Sequence, residues 1–326
     1  MQDVVVSVVV PTRGRPALLA RCLSALCGQS LDPKSYEVIV VDDGPDPATR
    51  SAVEDCAARA ALRGLAVHYI ASPGPHGPAA ARNRGWRRAR GEIVAFTDDD
   101  TEPAADWLAA GVAAFDRETH AVSGRIVVPL PPDPTDYELD VAGLSRAEFA
   151  TANVFCRKSM LARIDGFDER FPLAWREDSD LQFSLLRADA LIRRADNAIV
   201  VHPVRPAGWG VSLGQQKKVM FDVLLYRKHP ALYRNRIRRT PRWDYYAVVA
   251  ALLTAIVALS AGAPVLAMAA AAVWLAMTLW FCVRRLRRSS REVRHVAEMI
   301  VTSALIPPIA VFWRLVGAVR FRAWLA

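Results

Sequence analysis

The 326-residue sequence has few cysteines, no CxxC pair and no lysine beyond residue 230. The five cysteines (Cys22, Cys27, Cys56, Cys156, Cys282) form an odd set without metal-ligand spacing. They exclude a disulfide framework and a zinc knuckle, and read as reduced, mostly buried thiols of a cytosolic compartment. No basic residue precedes the short apolar run of MQDVVVSVVVPT, and Pro11 stops it, so this start reads as a strand and not a signal peptide. The missing lysine bears on the net charge of +9 and the pI near 9.7, which would otherwise suggest a nucleic-acid partner. The first 230 residues hold 28 basic and 30 acidic side chains, whereas the last 96 hold 14, all arginine, and 3. An arginine excess beside long apolar runs fits membrane headgroups and no nucleic acid. With 52% apolar residues the chain is not disordered and can bury a sizeable core.

Charge is absent from Tyr245 to Val283, 39 residues broken only by SAGAP at Ser260 to Pro264. A span needs about 20 residues, so two are expected, near 245–261 and 264–283, joined by a tight turn. RNRIRRTPRWD before them and RRLRRSSREVR after them place both outer ends on the cytoplasmic side, giving a multi-pass protein of the cytoplasmic (inner) membrane with its soluble part in the cytosol. A third apolar stretch, Met299 to Trp313, lies between Glu298 and Arg314 and contains Pro307 and Pro308. An interfacial or re-entrant segment at about 296–318 is expected there, with a kinked third span as the alternative. In GQQKKVMFDVLLY, Met220, Phe221, Leu224 and Leu225 recur at helical spacing beside Lys217 and Lys218. This suits a helix on the membrane surface, or an ordinary packing helix, within a linker at 213–243 that precedes the membrane part at 244–326.

Upstream, in a domain expected over 1–212, apolar runs at 4–10, 36–42, 65–70 and 92–98 alternate with helical stretches at 16–29, 47–63 and 78–89. Continuous Val and Ile runs mark strands buried on both faces, so the fold class is α/β: an open, mostly parallel, Rossmann-like sheet with helices on both faces. In such sheets ligands bind beyond the carboxyl ends of the strands. Those ends read PTRGR, DDGPD and TDDDTEP. Carboxylates crowded there repel one another unless a cation intervenes, and a hard divalent ion bridging to a phosphate-bearing substrate is the usual solution.

Asp98 and Asp100, on alternate positions after a buried strand, can face one ion; the competing reading is a solvated turn with Asp99 as a cap. Of Asp42 and Asp43, one is expected to cap the turn at Gly44 and the other, Asp43, to accept from a base or ribose. The loop SPGPHGP leads into a basic helix on which Arg82 or Arg84 can reach a diphosphate, or merely offset the acidic edge. In REDSDL, three carboxylates open a helix. Capping explains Asp180, while Asp178 is the candidate general base on an incoming hydroxyl, with Glu177 beside it as a second catalytic candidate. The Pro-rich acidic stretch 128–140 is expected to be a mobile loop near an acceptor, or a plain surface loop.

Taken in order, VSVVVPTRGR, EVIVVDDGPD, AARNRGW with GEIVAFTDDD, NVFCRKSML with IDGFDE, and REDSDL resemble the family 2 inverting glycosyltransferases of the GT-A fold. The resemblance runs from residue 6 to about 205. It implies transfer of one sugar, with inversion, from a UDP, GDP or dTDP sugar, assisted by Mg²⁺ or Mn²⁺. It implies nucleotide-sugar contacts at Pro11, Thr12, Arg13, Asp43, Arg82, Asp98 and Asp99, with Asp43 at the base. Asp98 and Asp100 match metal ligands, Asp100 the likeliest direct one, and Asp178 matches the catalytic base. His202, in IVVHP, sits where some members place a further metal or diphosphate contact, a buried histidine being the alternative. The QxxRW motif of processive synthases is absent, as is their long series of channel-forming helices, so a single, non-processive transfer is expected, of the bacterial membrane-anchored kind that builds cell-envelope polysaccharide or glycolipid. A lipid-linked hydroxyl or phosphate is the preferred acceptor over a soluble or protein one. Two other classes stay open on the residues alone: a Mg²⁺-dependent nucleotidyltransferase, and a non-catalytic membrane-bound binding protein.

Overall fold

A computed structural model describes residues 4–324. It contains two compact units: one reaches Pro129 and resumes over Ala142–Val204, the other comprises Leu130–Val141 and the chain from Arg205 onward. The boundary thus falls at Val204, ahead of the residue 212 expected from the sequence, and the stretch 130–141 belongs to the second unit.

The first unit runs β1 (Val6–Thr12), α1 (Pro16–Cys27), β2 (Tyr36–Asp42), α2 (Pro47–Ala61), β3 (Ala66–Ala71), α3 (Pro78–Arg88) and β4 (Ile93–Phe96). It continues with β5 (Glu102–Pro103), α4 (Trp107–Ala113) and β6 (Thr119–Val127). After α5 (Asp136–Val141), which lies in the other unit, come β7 (Val154–Arg157), α6 (Lys158–Arg163), α7 (Glu177–Arg187) and β8 (Leu191–Val201). All four strands and three helices expected up to residue 98 are present. Each of α1, α2 and α3 opens with proline, whose fixed φ suits the first helical position and whose missing N–H would be unpaired there anyway.

Eight strands form one sheet in the order β3-β2-β1-β4-β7-β6-β8-β5. β1 pairs in parallel with β2 and β4, and β2 with β3; β7 is antiparallel to β4 and β6. Parallel pairing puts the carboxyl ends of β1, β2 and β4 on one edge. Both faces are covered: Val8 and Val10 pack with α1 and α2, while Val9 packs with α3 and α7. A Cβ on Gly85 would come within 2.3 Å of Val9 Cγ1, so only glycine lets α3 lie this close to β1. Asn83, on the same helix, donates to Phe167 O and accepts from Phe167 N and Trp86 Nε1. That hydrogen-bonded staple fixes the GFDE turn, and so the approach to α7, against α3.

The second unit contains α5, then α8 (Val211–Gln215), α9 (Met220–Lys228), α10 (Pro230–Arg236), α11 (Trp243–Ser260), α12 (Pro264–Leu286) and α13 (Val293–Phe321). Stretch 130–141 is neither a free nor a plain surface loop. Thr135 N donates to Glu138 and Glu138 N to Thr135 Oγ1, a capping box that starts α5, and Arg285 donates twice to Asp136. Ser290 binds both Asp133 and Pro134 O. α11 and α12 form the expected hairpin, long and apolar enough to cross a membrane. α13 is longer, 29 residues, also apolar enough to cross, and runs unbroken through Pro307 and Pro308. A re-entrant segment must turn back, so that part of the expectation is corrected. Met220, Phe221, Leu224 and Leu225 are all buried, Phe221 against Phe321 of α13.

Candidate active site

The sheet edge is built from three turns and a fourth strand end. Asp42, the last residue of β2, accepts from Gly44 N, Asp46 N and the Tyr69 hydroxyl. It caps the turn and leaves Asp43 outermost. Asp43 Oδ2 takes the Gly77 N–H at 2.8 Å, His76 Nδ1 lies 3.2 Å from Oδ1, and Arg13, 64% exposed, reaches to 3.7 Å. The SPGPHGP loop is therefore tied to Asp43 through His76 and Gly77, residues the sequence reading passed over.

After β4 the acidic triplet splits. Asp99 is fully buried, accepting from Thr12 Oγ1 at 2.6 Å and facing Arg15 at 3.0 Å. Thr12 and Asp99 hold each other, and Pro11 is buried within β1. The side chains of all three are buried in the protein. Burial pushes the Asp99 carboxyl up to about 6, with Asp100 and Asp98 adding to the rise against the pull of Arg15 and Thr12. Asp98 and Asp100 turn the other way. β5 pairs with the end of β8, Glu102 opposite Val201, and this brings His202 to Asp100, Nε2 to Oδ1 3.6 Å. Ligand atoms of Asp98, Asp100 and His202 lie within 4.8 Å of one another. Two carboxylates and an imidazole form a donor set suited to Mg²⁺ or Mn²⁺, so the residues present fit such an ion. Arg15, whose Nη1 is 3.7 Å from Asp100, is a cation at this site that the sequence reading missed although it stands in PTRGR.

Arg82, expected either to reach a diphosphate or to offset the acidic edge, is turned onto the acidic edge. It is buried, donating to Asp98 Oδ1 at 2.7 Å and to Glu177 Oε1 at 3.3 Å. Arg84 braces the loop instead, donating to Ser72 Oγ and to the carbonyls of Gly74 and Pro75. One guanidinium thus joins the acidic triplet to the first turn of α7. Burial would raise Asp98, but Arg82, His202 and Arg15 together bring it below the usual carboxylate range. Glu177 goes the other way: burial and the charge of Asp178 lift it to about 7 in spite of Arg82, and its Oε2 is buried with no hydrogen-bond partner among the described residues. Burial also raises Asp178, whose Oδ1 accepts from Ser179 N. Two adjacent carboxylates with elevated proton affinity, next to an acidic cluster suited to a metal, are a setting for base catalysis beside a polyanion.

The fold, with an acidic cluster at the carboxyl edge of its parallel strands, is of the GT-A type. Residues 7–166 match the family described as Glycosyl transferase family 2, so the chain carries a domain of that family and is a glycosyltransferase. Glycosyltransferase AglE of Haloferax volcanii is 26% identical over 245 residues, 70% of this chain and 78% of that protein. The pre-mycofactocin glycosyltransferase of Mycobacterium tuberculosis is 31% identical over 216 residues, 61% of this chain and 43% of that protein, so the chain spans less than half of the latter's length. Among solved structures, the mannosyltransferase PcManGT from Pyrobaculum calidifontis, in complex with GDP-Man and Mn²⁺, matches with a TM-score of 0.61 at 21% identity, covering 97% of this chain and 88% of that one.

Proposed function

We propose that the protein transfers one sugar, with inversion, from a nucleoside-diphosphate sugar to a hydroxyl or phosphate of a lipid-linked acceptor at the cytoplasmic face of a membrane. The observation that carries this reading is the Arg82 bridge, which sets Asp98 and Glu177 on opposite sides of one guanidinium and so couples a cluster suited to diphosphate and metal to a helix start suited to a base. Asp43 and the exposed Arg13 are assigned to the nucleotide, uridine, guanosine or thymidine type alike. Asp98, Asp100 and His202 would hold Mg²⁺ or Mn²⁺, which when bound neutralises charge on the diphosphate. Asp178 takes the proton of the acceptor oxygen as that oxygen attacks the anomeric carbon, and the sugar–phosphate bond breaks on the opposite face with its electron pair leaving on the diphosphate. Glu177, near neutral in its proton affinity, lets the pair hold one proton and keeps Asp178 basic. The lipid-linked acceptor is supported by α11 and α12, whose flanks carry arginine: Arg242 stacks on Tyr245, and Arg284 on Trp280.

The test is an assay in detergent with UDP, GDP and dTDP sugars, Mg²⁺ or Mn²⁺ and added membrane lipid, following released nucleoside diphosphate. Asp178→Asn is expected to reduce turnover by about 10³-fold while nucleotide binding, read by calorimetry, stays intact. Retained turnover removes Asp178 from the base role. No release with any donor overturns the transfer reading, and release of pyrophosphate in its place identifies nucleotidyl transfer.

A further inference from the structure

We propose that α13 does not cross the bilayer but lies in its cytoplasmic interface, its exposed apolar face set into the lipid and the helices α8 and α9 covering its other face. This rests on the reading that α11 and α12 cross as a hairpin.

The contacts along α13 run in step with the contacts along residues 210–228. Gly210 N donates to Glu298 near the start of α13, Lys217 Nζ lies 5.5 Å over the Trp313 ring, and Arg314 faces Asp222 at 3.9 Å. Further on, a Cβ on Gly317 would meet Met220 O at 2.7 Å, and Arg227 Nη1 donates to Phe321 O at 2.7 Å. If α13 spanned the membrane, residues 210–228 would have to span beside it, taking Lys217, Lys218, Asp222, Arg227 and Lys228 through or across the hydrocarbon. The chain then has to return, because α11 begins at the level where α12 ends: the Tyr245 and Phe281 rings are 5.5 Å apart, and Arg285 of α12 binds Thr302 and Ser303 in the first half of α13. That return would be residues 229–242, with Arg234, Arg236, Arg238, Arg239 and Arg242 and only the seven-residue α10 as regular structure. Hydrocarbon excludes both the charges and the unpaired backbone of such a segment. Laid in the interface, α13 and residues 205–242 need no crossing at all.

The faces of α13 agree. His295, Met299, Thr302, Ser303, Ile306, Ala310, Arg314, Gly317 and Phe321 recur at helical spacing and are buried, so the polar groups between Arg294 and Arg320, which are exposed near the two ends, point into the protein. Ile300, Leu305, Phe312, Leu315 and Val319 are exposed on the other side. The most apolar stretch of α13 is 44% buried, against 11% and 22% for α11 and α12, as befits a helix with protein on one side and lipid on the other.

The experiment is labelling of the full chain in a bacterial inner membrane with a membrane-impermeant maleimide, using Gly262→Cys in the hairpin turn and Arg322→Cys beyond α13. In intact cells Gly262→Cys is expected to label and Arg322→Cys to stay at the background of the parent chain; in inside-out vesicles Arg322→Cys labels. Labelling of Arg322→Cys from outside shows that α13 crosses and overturns the proposal. Failure of Gly262→Cys to label from outside overturns the hairpin reading instead. A second readout is fusion of alkaline phosphatase or green fluorescent protein to the C-terminus: fluorescence without phosphatase activity is expected, and the reverse result refutes the interfacial placement.

Discussion

The two units treat charge in opposite ways. In the first, carboxylates are drawn inward to a single sheet edge and paired with cations reaching from other elements: Arg15 from the loop after β1, Arg82 from α3, His202 from the end of β8. In the second, arginines stand where long apolar helices end, and the exposed helix faces are Leu, Val and Ile. The net charge of +9 is therefore not one property but the sum of two devices. Buried charge needs a partner because the low dielectric penalises it alone; charge at a helix end needs only the headgroup region. A balance near zero in one unit and strong basicity in the other follow from where each unit's ionisable groups must sit.

Four perturbations would break or sharpen this contrast. Asp100→Asn removes a ligand from the Asp98–Asp100–His202 set and is expected to lower turnover by about 10³-fold, with a raised requirement for Mn²⁺ or Mg²⁺ read from metal titrations. Next, Arg82→Met leaves Asp98 and Glu177 facing each other across an apolar stem. It should cost about 3–5 kcal/mol, seen as a loss of several degrees in thermal unfolding, while Arg82→Lys recovers part of it. In the other unit Arg285→Met breaks the bonds to Asp136, Thr302 and Ser303, for about 2–3 kcal/mol, and loosens stretch 130–141 in hydrogen exchange. By contrast the exposed Arg287→Gln should change stability by less than about 0.5 kcal/mol, and shows only in weaker retention on anionic vesicles.

The pH profile tests the carboxylate pair directly. A raised carboxylate pKa means that the protonated form persists to higher pH, so the Asp178 base gains activity as pH rises through a range above that of an ordinary aspartate and loses it below. Glu177→Gln mimics the protonated partner and should leave that limb in place, whereas Asp178→Asn should remove it. A limb that survives in the residual kcat/KM of Asp178→Asn would separate the titration from Asp178.

Much of the fold was legible because its signals are local. Val and Ile runs, a proline opening each of the first three helices, and Gly44 after Asp42 and Asp43 each act within a few residues, and β1 to β4 and α1 to α3 emerged within two residues of their expected bounds. The acidic edge and the hairpin were legible for the same reason: acidic strand ends in a parallel sheet must share an edge, and 39 uncharged residues broken by one short turn form two helices long and apolar enough to cross a membrane. Even the start of α5 is written locally, in Thr135 and Glu138, a capping box inside a proline-rich segment.

What the sequence could not decide is which of two neighbouring like residues does what. Arg82 and Arg84 stand two apart on α3 and hence on opposite sides of it. Only the packing of α3 against β1, close enough to demand Gly85, turned Arg82 inward to Asp98 and Glu177 and left Arg84 to the loop. Asp98, Asp99 and Asp100 alternate likewise, and the position of Thr12 and Arg15 on the adjacent strand end selected Asp99 for the interior while β5 carried Asp100 to His202. Local pattern fixes which element forms; the partner of a buried charge is a long-range choice, made by whichever elements the folded chain brings within about 3–4 Å of it.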